Sequence, residues 1–464
     1  MSLYKKLIMN LPEVSGPTQK KLPFKEKGKW TVIMLVAFFV LGLVPLYGLG
    51  ESFFKQFESL QIILASSFGS IISLGIGPIV TGSIVLQLLN GSGLLKFDTS
   101  TPEGKRVYQG TQKLMSLSFV IFEAAIYVFM GGLAPDQALQ GTSAYFSFQL
   151  LLIGQLILGG ILIVFMDEVV SKWGIGSGIS LFIAGGVSKE IIWKAFSPLK
   201  GESEFTVGAV WRFFQGVMVS ELGISMQALA LIASTGLVFA MAVYMQAMKV
   251  EIPLSFGRVR GHGIRWPLNF LYTSNIPVIL VAALFANFQL WAQLMKNRGI
   301  NFLGDPQSNT GFISYLQPPG GTGGLLGEMI KQGGLAIDST LYLQAFVYLI
   351  AMIIGCVIFS YFWVQTAGMD AKSQAKKMMS SGLQIPGFRR DQRVLERLLE
   401  RYIGPLTIMG GISIGILAAA ADILGALSRG TGILLAVMII YRLYEEIARD
   451  HMMDMHPALR KFME

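Results

Sequence analysis

The sequence predicts an all-α integral membrane protein, with ten transmembrane helices in two pseudo-symmetric inverted halves of five and a short re-entrant helix. The chain has 464 residues, of which only 14% are charged, and its mean hydropathy is +0.57. Ordinary soluble proteins carry about 25% charged residues. Several uncharged apolar runs reach the roughly 18 residues that mark a transmembrane candidate. These observations exclude a soluble enzyme, a disordered chain and a fibrous protein.

Nine of the spans are continuous in the hydropathy pattern. They cover residues 31–49, 114–134, 148–166, 173–193, 224–248, 268–292, 341–365, 403–421 and 430–446. The second span is broken: a half-polar stretch at 51–66 precedes SFGSIISLGIGPIVTGSIVLQLL at 67–89, which carries several glycines and Pro78. Irregular backbone at membrane depth is tolerated only where protein or a water-filled cavity surrounds it. We therefore expect a short re-entrant helix, followed by a full helix that starts near Gly75.

Lysine and arginine residues orient the spans. If the N-terminus is inside, most of the 37 basic residues fall in inner segments, as the positive-inside rule requires. Both termini are therefore expected in the cytoplasm. The same asymmetry accounts for the net charge of +9 without nucleic acid, so DNA is not an expected partner.

Five spans in each half is an odd number, so the halves, if they are related, have inverted topology. The chain accordingly divides into a cytosolic segment, an N-terminal half with spans 1–5 and a C-terminal half with spans 6–10, which cover residues 1–30, 31–200 and 201–464. Long basic inner loops are expected at 249–267 and 366–402. The long outer connection 293–340 contains PPGGTGG (318–324), which indicates a flexible surface loop.

The chain lacks the residue patterns that enzymatic or metal chemistry needs. Cys356 is the single cysteine and lies in an apolar run, so no intrachain disulfide or thiolate cluster can form. His262, His451 and His456 lie in polar segments. The sequence holds no Walker A motif, no HExxH and no plausible Ser/His/Asp arrangement. We expect no enzymatic activity, no cofactor and no bound metal.

Four acidic residues in or next to the spans are considered as functional candidates. Glu123, in IFEAAIYV, is the only carboxylate well within a span. Asp167 and Glu168 end the fourth span, and Asp422 ends the ninth. An intramembrane acid is a functional candidate by default. A protonated or hydrogen-bonded packing residue is the alternative, and the residue pattern leaves both open for Glu123.

Two pairs of branched aliphatic residues have helical spacing. Ile76 and Val80 are four residues apart, as are Ile179 and Ile183, so each pair shares a helix face. Aliphatic residues that line a constriction can gate a pore by dewetting. Lipid-facing and packed positions have the same spacing, so both interpretations stay open.

Arginines are concentrated in the two long inner loops, in SFGRVRGHGIRW and IPGFRRDQR. They are Arg258, Arg260, Arg265, Arg389 and Arg390. Three roles fit them: topology determinants, a docking surface for an anionic partner, and contacts with anionic lipid headgroups.

Topology alone also allows other classes of membrane protein. A secondary transporter fits ten spans, a five-plus-five inversion and a broken helix, but it needs converging polar groups near the midplane. A scaffold protein would explain packing glycines. An intramembrane enzyme would need a nucleophile–base pair or metal ligands.

Seven segments, spread over essentially the full length, carry a resemblance to one family. They are LPEVSGPTQKKLPFKEK (11–27), LGIGPIVTGSIVLQLL (74–89), WGIGSGISLFIAGGV (173–187), EIPLSFGRVRG (251–261), YTSNIPVILVAALFANFQLW (272–291), SGLQIPGFRRDQRVLERLLERYI (381–403) and GTGILLAVMIIYRLYEE (430–446). On these motifs the chain resembles the SecY family, the channel-forming subunits of Sec protein translocases, in its archaeal and eukaryotic alpha-subunit form. The resemblance implies a passive conduit for unfolded secretory polypeptides. It also implies a lateral gate between spans 2/3 and 7/8, through which membrane spans reach lipid.

The resemblance further implies which residues form the parts of the channel. The pore ring matches Ile76, Val80, Ile179, Ile183, Ile279 and Leu435. The plug, a short helix within about 51–67, matches Glu58, Ser59, Leu60, Gln61, Ile62, Ile63, Leu64, Ala65, Ser66 and Ser67. The polar cluster of the lateral gate matches Thr81, Glu123 and Asn287. The loops that dock the ribosome match Arg258, Arg260, Arg389 and Arg390.

Partners and location follow from the same resemblance. It implies a SecE-type (gamma) subunit, a small beta subunit, the ribosome or another translocation partner, signal sequences, nascent polypeptides and membrane lipid. The membrane is expected to be a prokaryotic plasma membrane, or that of the endoplasmic reticulum if the chain is eukaryotic.

Overall fold

A computed structural model gives the structure of the chain. It describes residues 8, 10–18, 22–50, 69–91, 94–95, 97, 101–136, 139, 141–199, 205–256, 263–273, 276–297, 299, 304, 311–320, 323–332, 334, 338–380, 383–384, 391–428 and 430–455.

Long helices form the N-terminal part of the chain. They are α1 (Phe24–Leu41), α2 (Gly77–Gly91), α3 (Pro102–Phe129), α4 (Ser143–Trp173) and α5 (Gly178–Phe196). Local sequence explains where α3 begins, because Thr101 Oγ1 accepts a hydrogen bond from Gly104 N at 3.1 Å. Such a cap satisfies one of the N–H groups that the first turn of a helix leaves free.

The C-terminal part adds further helices around three short strands. The helices are α6 (Ala209–Met218), α7 (Leu222–Ala247), α8 (Ile276–Asn297), α9 (Gly324–Gln332), α10 (Ser339–Thr366), α11 (Ala371–Ser380), α12 (Gln392–Leu424) and α13 (Gly430–Met455). The strands are β1 (Lys249–Phe256), β2 (Gly263–Asn269) and β3 (Leu383–Gln384). A short 3-10 helix, Phe312–Leu316, precedes α9.

Each predicted span overlaps one of the long helices. By length and composition, 6 of the described helices can cross a membrane. They are α3, α4, α7, α8, α12 and the continuous stretch from α10 through α11. The predominantly helical membrane class is therefore confirmed. The helix α3 begins at Pro102 rather than near 114, and α12 at Gln392 rather than near 403, because both continue through charged residues that hydropathy does not register.

Where the structure describes them, both long inner segments contain regular secondary structure, which the prediction of long loops did not include. The hairpin of β1 and β2 occupies most of 249–267, and β3 pairs antiparallel with β1, so the strand order is β2-β1-β3. The segment 366–402 holds α11 and the first turns of α12. Ile252 and Leu268 of the hairpin are buried in one apolar cluster with Leu399 of α12. This sheet depends on pairing between distant segments, which the composition of either loop does not reveal.

We call α1–α5 the first group of helices and α6–α13 the second group. The two groups contact each other along two seams and also where α5 meets α6. Along one seam, α2 packs against α8 and α10; along the other, α13 packs against α5 and α1. The largest apolar cluster takes residues from both groups, so much of the core spans the contact between them, and a separate cluster lies within the second group.

The segment before α1 is attached to the end of α4. Trp173 Nε1 donates to the carbonyl oxygen of Ser15 at 2.9 Å, and Lys172 forms an ion pair with Glu13. The hydrogen bond from Lys172 outweighs desolvation and holds the pKa of Glu13 below its ordinary value. The described part of the predicted cytosolic segment is therefore held against the helices by polar contacts.

Gly159 of α4 marks a close approach to the chain that precedes α2. A Cβ at Gly159 would lie 1.9 Å from the carbonyl oxygen of Ile71, whereas a Cβ at Gly154 of the same helix meets no atom within 4 Å. We expect Gly159→Ala to lower the stability of the purified protein by about 1–3 kcal/mol, because backbone must shift to admit the methyl group. Thermal unfolding measures the effect, and Gly154→Ala is the matched control. Equal unfolding temperatures for the two variants would contradict this packing.

Candidate functional site

The first pair of predicted ring residues lies at the start of α2. Val80 N donates to the carbonyl oxygen of Ile76 at 3.1 Å, so the two side chains are one turn apart although Ile76 precedes the helix. Gly75 adopts a φ of 55°, a conformation that favours glycine, and this turn leads into the helix. Both aliphatic side chains are buried.

The second pair lies in the first turns of α5. Ile183 is buried, and Ile179 packs against the same apolar cluster while partly exposed. Ile179 N donates to Asp167 Oδ1 of α4 at 2.9 Å. This carboxylate therefore satisfies a free N–H group at the start of α5.

The other two ring candidates lie on α8 and α13. Ile279 is in the first turn of α8, Leu435 is in the second turn of α13, and both are buried. All six candidates belong to or pack against one apolar cluster. The structure therefore brings them into one region, with α2 and α5 contributed by one group and α8 and α13 by the other.

Three polar residues meet in the seam formed by α2, α3 and α8. Asn287 Nδ2 donates to Thr81 Oγ1 at 2.9 Å, and Thr81 Oγ1 donates to the carbonyl oxygen of Gly77 at 2.9 Å. The carboxyl group of Glu123 lies next to the Thr81 side chain. All three polar side chains are buried. The structure thus brings the predicted cluster together, and its role in a gate stays a prediction.

The partners of the acid at the end of the ninth span were not predicted. Tyr348 Oη donates to Asp422 Oδ2 at 2.6 Å, and Thr431 N donates to Asp422 Oδ1 at 2.9 Å. The carboxylate is buried between α10, α12 and α13. The span 341–365 contains three tyrosines as well as other polar residues, so the sequence holds no signal that singles out Tyr348.

Part of the long outer connection is packed against the helices, and among the described residues of 318–324 both Pro319 and Gly324 are buried, so this segment is not wholly a surface loop. Gln289 Nε2 of α8 donates to the carbonyl oxygen of Leu316 at 3.0 Å. Gln344 Nε2 of α10 donates to that of Ser314 at 2.8 Å. Buried amides of two membrane helices thus satisfy the carbonyl groups of the 3-10 turn, a pairing that glycine content does not reveal.

The candidate plug and docking residues lie outside the described residues. They are Glu58–Ser67, Arg258, Arg260, Arg389 and Arg390. The chain on either side of 51–68 is described, and its two ends lie side by side. Leu46 N donates to the carbonyl oxygen of Gly69 at 2.7 Å, and Ile71 N donates to that of Val44 at 3.0 Å.

Residues that could bind a metal do not cluster in the described part of the chain. No group of three or more His, Cys, Asp or Glu residues there could hold a metal ion. Cys356 is buried and free. These side chains therefore offer no metal centre in the regions that the structure describes.

Long apolar helices that share one apolar cluster, with a buried polar contact in one seam, define a helical membrane protein. The SecY family profile matches residues 70–444. A second profile, described as the plug domain of Sec61p, matches residues 36–69. The chain belongs to the SecY family, as its sequence motifs predicted.

Known relatives match over almost the whole chain. The protein translocase subunit SecY of Methanococcus vannielii is 41% identical, with 99% of both chains covered. That of Methanothermobacter thermautotrophicus is 43% identical, with 99% of this chain and 98% of the relative covered.

Two solved structures are similar. "The structure of a protein conducting channel" has a TM-score of 0.82 at 41% identity and covers 97% of this chain and 98% of that one. "Sec61 in the Canine ribosome-channel complex from the endoplasmic reticulum" has a TM-score of 0.79 at 40% identity, with the same coverage. The chain is therefore a protein-conducting channel subunit of the protein translocase and not an enzyme.

The hydrogen bond between Thr81 and Asn287 should contribute measurably to stability. We expect a double-mutant cycle with Thr81→Val and Asn287→Leu to give a coupling of about 0.6 kcal/mol and no more than about 1.7 kcal/mol, the range found for such bonds between membrane helices. Thermal unfolding of the purified protein measures it.

Thr81→Ser, which keeps the hydroxyl group, is the matched control. It should retain most of the coupling with Asn287. Strictly additive effects of Thr81→Val and Asn287→Leu would show that the two side chains do not interact.

Proposed function

We propose that the chain is the central pore subunit of a translocase and carries unfolded secretory polypeptides through an apolar ring. The observation that supports this most directly is the shared position of the six aliphatic candidates. They lie on four helices drawn from both groups and belong to or pack against one cluster. A ring to which both groups contribute widens when the groups separate. The apolar contact between the groups therefore closes the pore while they are together and lets it open when they move apart.

The chemistry of aliphatic side chains suits this task. A pore for chains of any sequence must bind none of them tightly, and methyl groups offer no directional hydrogen bonds. A narrow apolar constriction also stays poorly hydrated when it is empty, which opposes the passage of ions. The ring candidates Ile76, Val80, Ile179, Ile183, Ile279 and Leu435 have these properties.

We assign the chain ten membrane spans in two inverted halves, 31–200 and 201–464, with a cytosolic segment at 1–30 and both termini in the cytoplasm. Contacts within α1–α5 and within α6–α13, with two seams between these groups, support the division. The excess of basic residues in the assigned inner segments supports the orientation. A prokaryotic plasma membrane fits the archaeal relatives.

The seam of α2 and α3 with α8 and α10 is the proposed lateral gate. Thr81, Glu123 and Asn287 meet there in a buried cluster, and bonds between membrane helices are weak enough for a ligand to break. A membrane span that enters the seam gains roughly 0.3–0.6 kcal/mol for each central Leu, Ile, Phe or Val that reaches lipid. Lateral release therefore needs no energy source within this chain.

The segment 51–67 is the proposed plug. The paired backbone at Leu46 and Gly69 supports this, since the chain leaves and re-enters the fold at adjacent points. One solved relative carries the description "The plug domain of the SecY protein stablizes the closed state of the translocation channel and maintains a membrane seal". By this proposal, residues 58–67 close the apolar ring on its outer side.

We expect removal of residues 58–67 to raise the resting ion conductance of the reconstituted channel, because the dry ring would lose its cover. Planar-bilayer recordings measure the leak. Removal of ten residues from the outer connection, at 301–310, is the control and should leave the resting conductance unchanged. Unchanged conductance after removal of 58–67 would contradict the plug assignment.

The driving force is proposed to come from a partner. The ribosome is the partner that the canine relative indicates, because that channel was solved in a ribosome complex. A SecE-type subunit and a small beta subunit complete the proposed assembly. Arg258, Arg260, Arg389 and Arg390 lie in the two basic inner segments, where an anionic ribosomal surface can dock.

The variant Arg258→Glu with Arg260→Glu should bind ribosomes more weakly, and the slope of log affinity against log salt should fall by about two, one for each lost ionic contact. Co-sedimentation at several salt concentrations measures both quantities. Arg212→Glu with Lys331→Glu, which makes the same charge change in assigned outer segments, is the control. Equal ribosome binding by both double variants would leave Arg258 and Arg260 as topology signals only.

A further inference from the structure

A buried carboxylate holds the start of α13. Asp422, near the end of α12, accepts hydrogen bonds from Thr431 N at 2.9 Å and Thr431 Oγ1 at 3.3 Å through Oδ1. Its other oxygen, Oδ2, accepts the hydroxyl group of Tyr348 at 2.6 Å. Thr431 is one turn before the ring candidate Leu435. The carboxylate therefore fixes the turn from which this ring side chain follows.

A second carboxylate holds the start of α5 in the same way. Asp167, near the end of α4, accepts Ile179 N at 2.9 Å and also accepts the backbone N–H of Gly178. Ile179 is itself a ring candidate, and Ile183 follows one turn later. The helices α5 and α13, which both carry ring candidates, therefore each begin at a carboxylate group of the preceding long helix.

We call each of these contacts, between a carboxylate and the start of the next helix, a joint. The two joints also share a sequence pattern. The acid Asp167 is followed by GSGI at 176–179, and the acid Asp422 is followed by GTGI at 430–433. The helices concerned form the fourth and fifth predicted spans of the proposed N-terminal half and the fourth and fifth predicted spans of the proposed C-terminal half. One joint is assigned to the inner side of the membrane and the other to the outer side, as inverted repeats require.

Each joint has a contact to a helix of the proposed lateral gate. Tyr348 lies on α10 and binds Asp422 directly. In the other half, Lys113 of α3 forms an ion pair with Glu168, the neighbour of Asp167. The third span of each proposed half is thus bound to the place where the fifth span begins.

We propose that Asp167 and Asp422 are positioning residues of the pore ring. Asp167 fixes the first turn of α5, Asp422 fixes the first turn of α13, and each joint couples its helix to a helix of the proposed gate. This inference rests on the proposed ring. When α10 moves as the gate opens, Tyr348 leaves Asp422, the start of α13 is held less firmly, and Leu435 moves away from the axis.

The chemistry favours aspartate at position 422. Both carboxylate oxygens are used, one by Thr431 and the other by Tyr348. An asparagine has a single acceptor oxygen in its side chain, so one of these donors would lose its partner. An unpaired buried donor is costly, and the closed arrangement would lose stability relative to the open one.

The test uses the complete translocase complex in planar bilayers and measures the fraction of time that the resting channel is open. We expect Asp422→Asn to raise this fraction about tenfold, which corresponds to about 1.4 kcal/mol. Tyr348→Phe leaves the cap of α13 intact and should raise it in the same direction by about threefold. If the Asp422→Asn variant does not assemble into the complex, the open fraction of the Tyr348→Phe channel decides whether the proposal holds.

Two matched controls separate positioning from general stability. Asp391→Asn alters another helix-capping carboxylate, whose Oδ1 accepts Arg393 N at 2.9 Å. Tyr272→Phe removes another tyrosine hydrogen bond, from Tyr272 Oη to the carbonyl oxygen of Met369 at 2.7 Å. Neither should change the open fraction, whatever it does to the unfolding temperature.

Leu435→Ser distinguishes failure of the joint from failure of the ring. If Leu435→Ser raises the open fraction while both Asp422→Asn and Tyr348→Phe behave as the controls do, the joint is refuted and the ring stands. If Leu435→Ser also leaves the open fraction unchanged, the ring assignment fails, and this inference fails with it.

Discussion

Apolar side chains fill the space where the two helical groups meet, and methyl groups make no directional bonds across it. The largest core cluster takes members from both groups, including Val80 and Ile183 on one side and Ile279 and Leu435 on the other. Apolar contact keeps this region dry, yet it does not lock two faces into one register as a hydrogen-bond network would. A closed pore and a pore that can open are therefore compatible with the same residues.

Directional bonds are placed at the edges of this apolar region. Thr81 and Asn287 join α2 to α8 in one seam. Asp422 of α12 binds Tyr348 of α10 and Thr431 of α13. Each bond satisfies groups that would be costly to leave unpaired away from water. Few such bonds are needed, because the surrounding lipid and the apolar packing between helices hold the helices in place. The proposed gate and the proposed ring can thus respond to one ligand through a small number of contacts.

Hydropathy predicted the helices, and the sequence motifs predicted the family. The resemblance to that family implied the polar cluster, and contacts that depend on distant partners were missed. Hydropathy located the membrane part of α12 but not its charged start at Gln392, since a helix outside lipid needs no apolar run. Nothing local indicated that Gln344 would bind the outer connection or that Tyr348 would bind Asp422. The ring positions Ile76 and Ile183 came from the family resemblance, because their spacing also fits ordinary packing.

Site-specific crosslinking tests most directly whether polypeptides pass through the apolar ring. In a Cys356→Ser background, a cysteine is placed at Ile183, which is 1% exposed, or at Ile192 of the same helix, which is 61% exposed. Membranes are then programmed with a stalled secretory chain that carries one cysteine. Crosslinks at Ile183→Cys and none at Ile192→Cys are the predicted result. Equal crosslinking at both positions, or none at Ile183→Cys with stalling and targeting verified, would contradict the account.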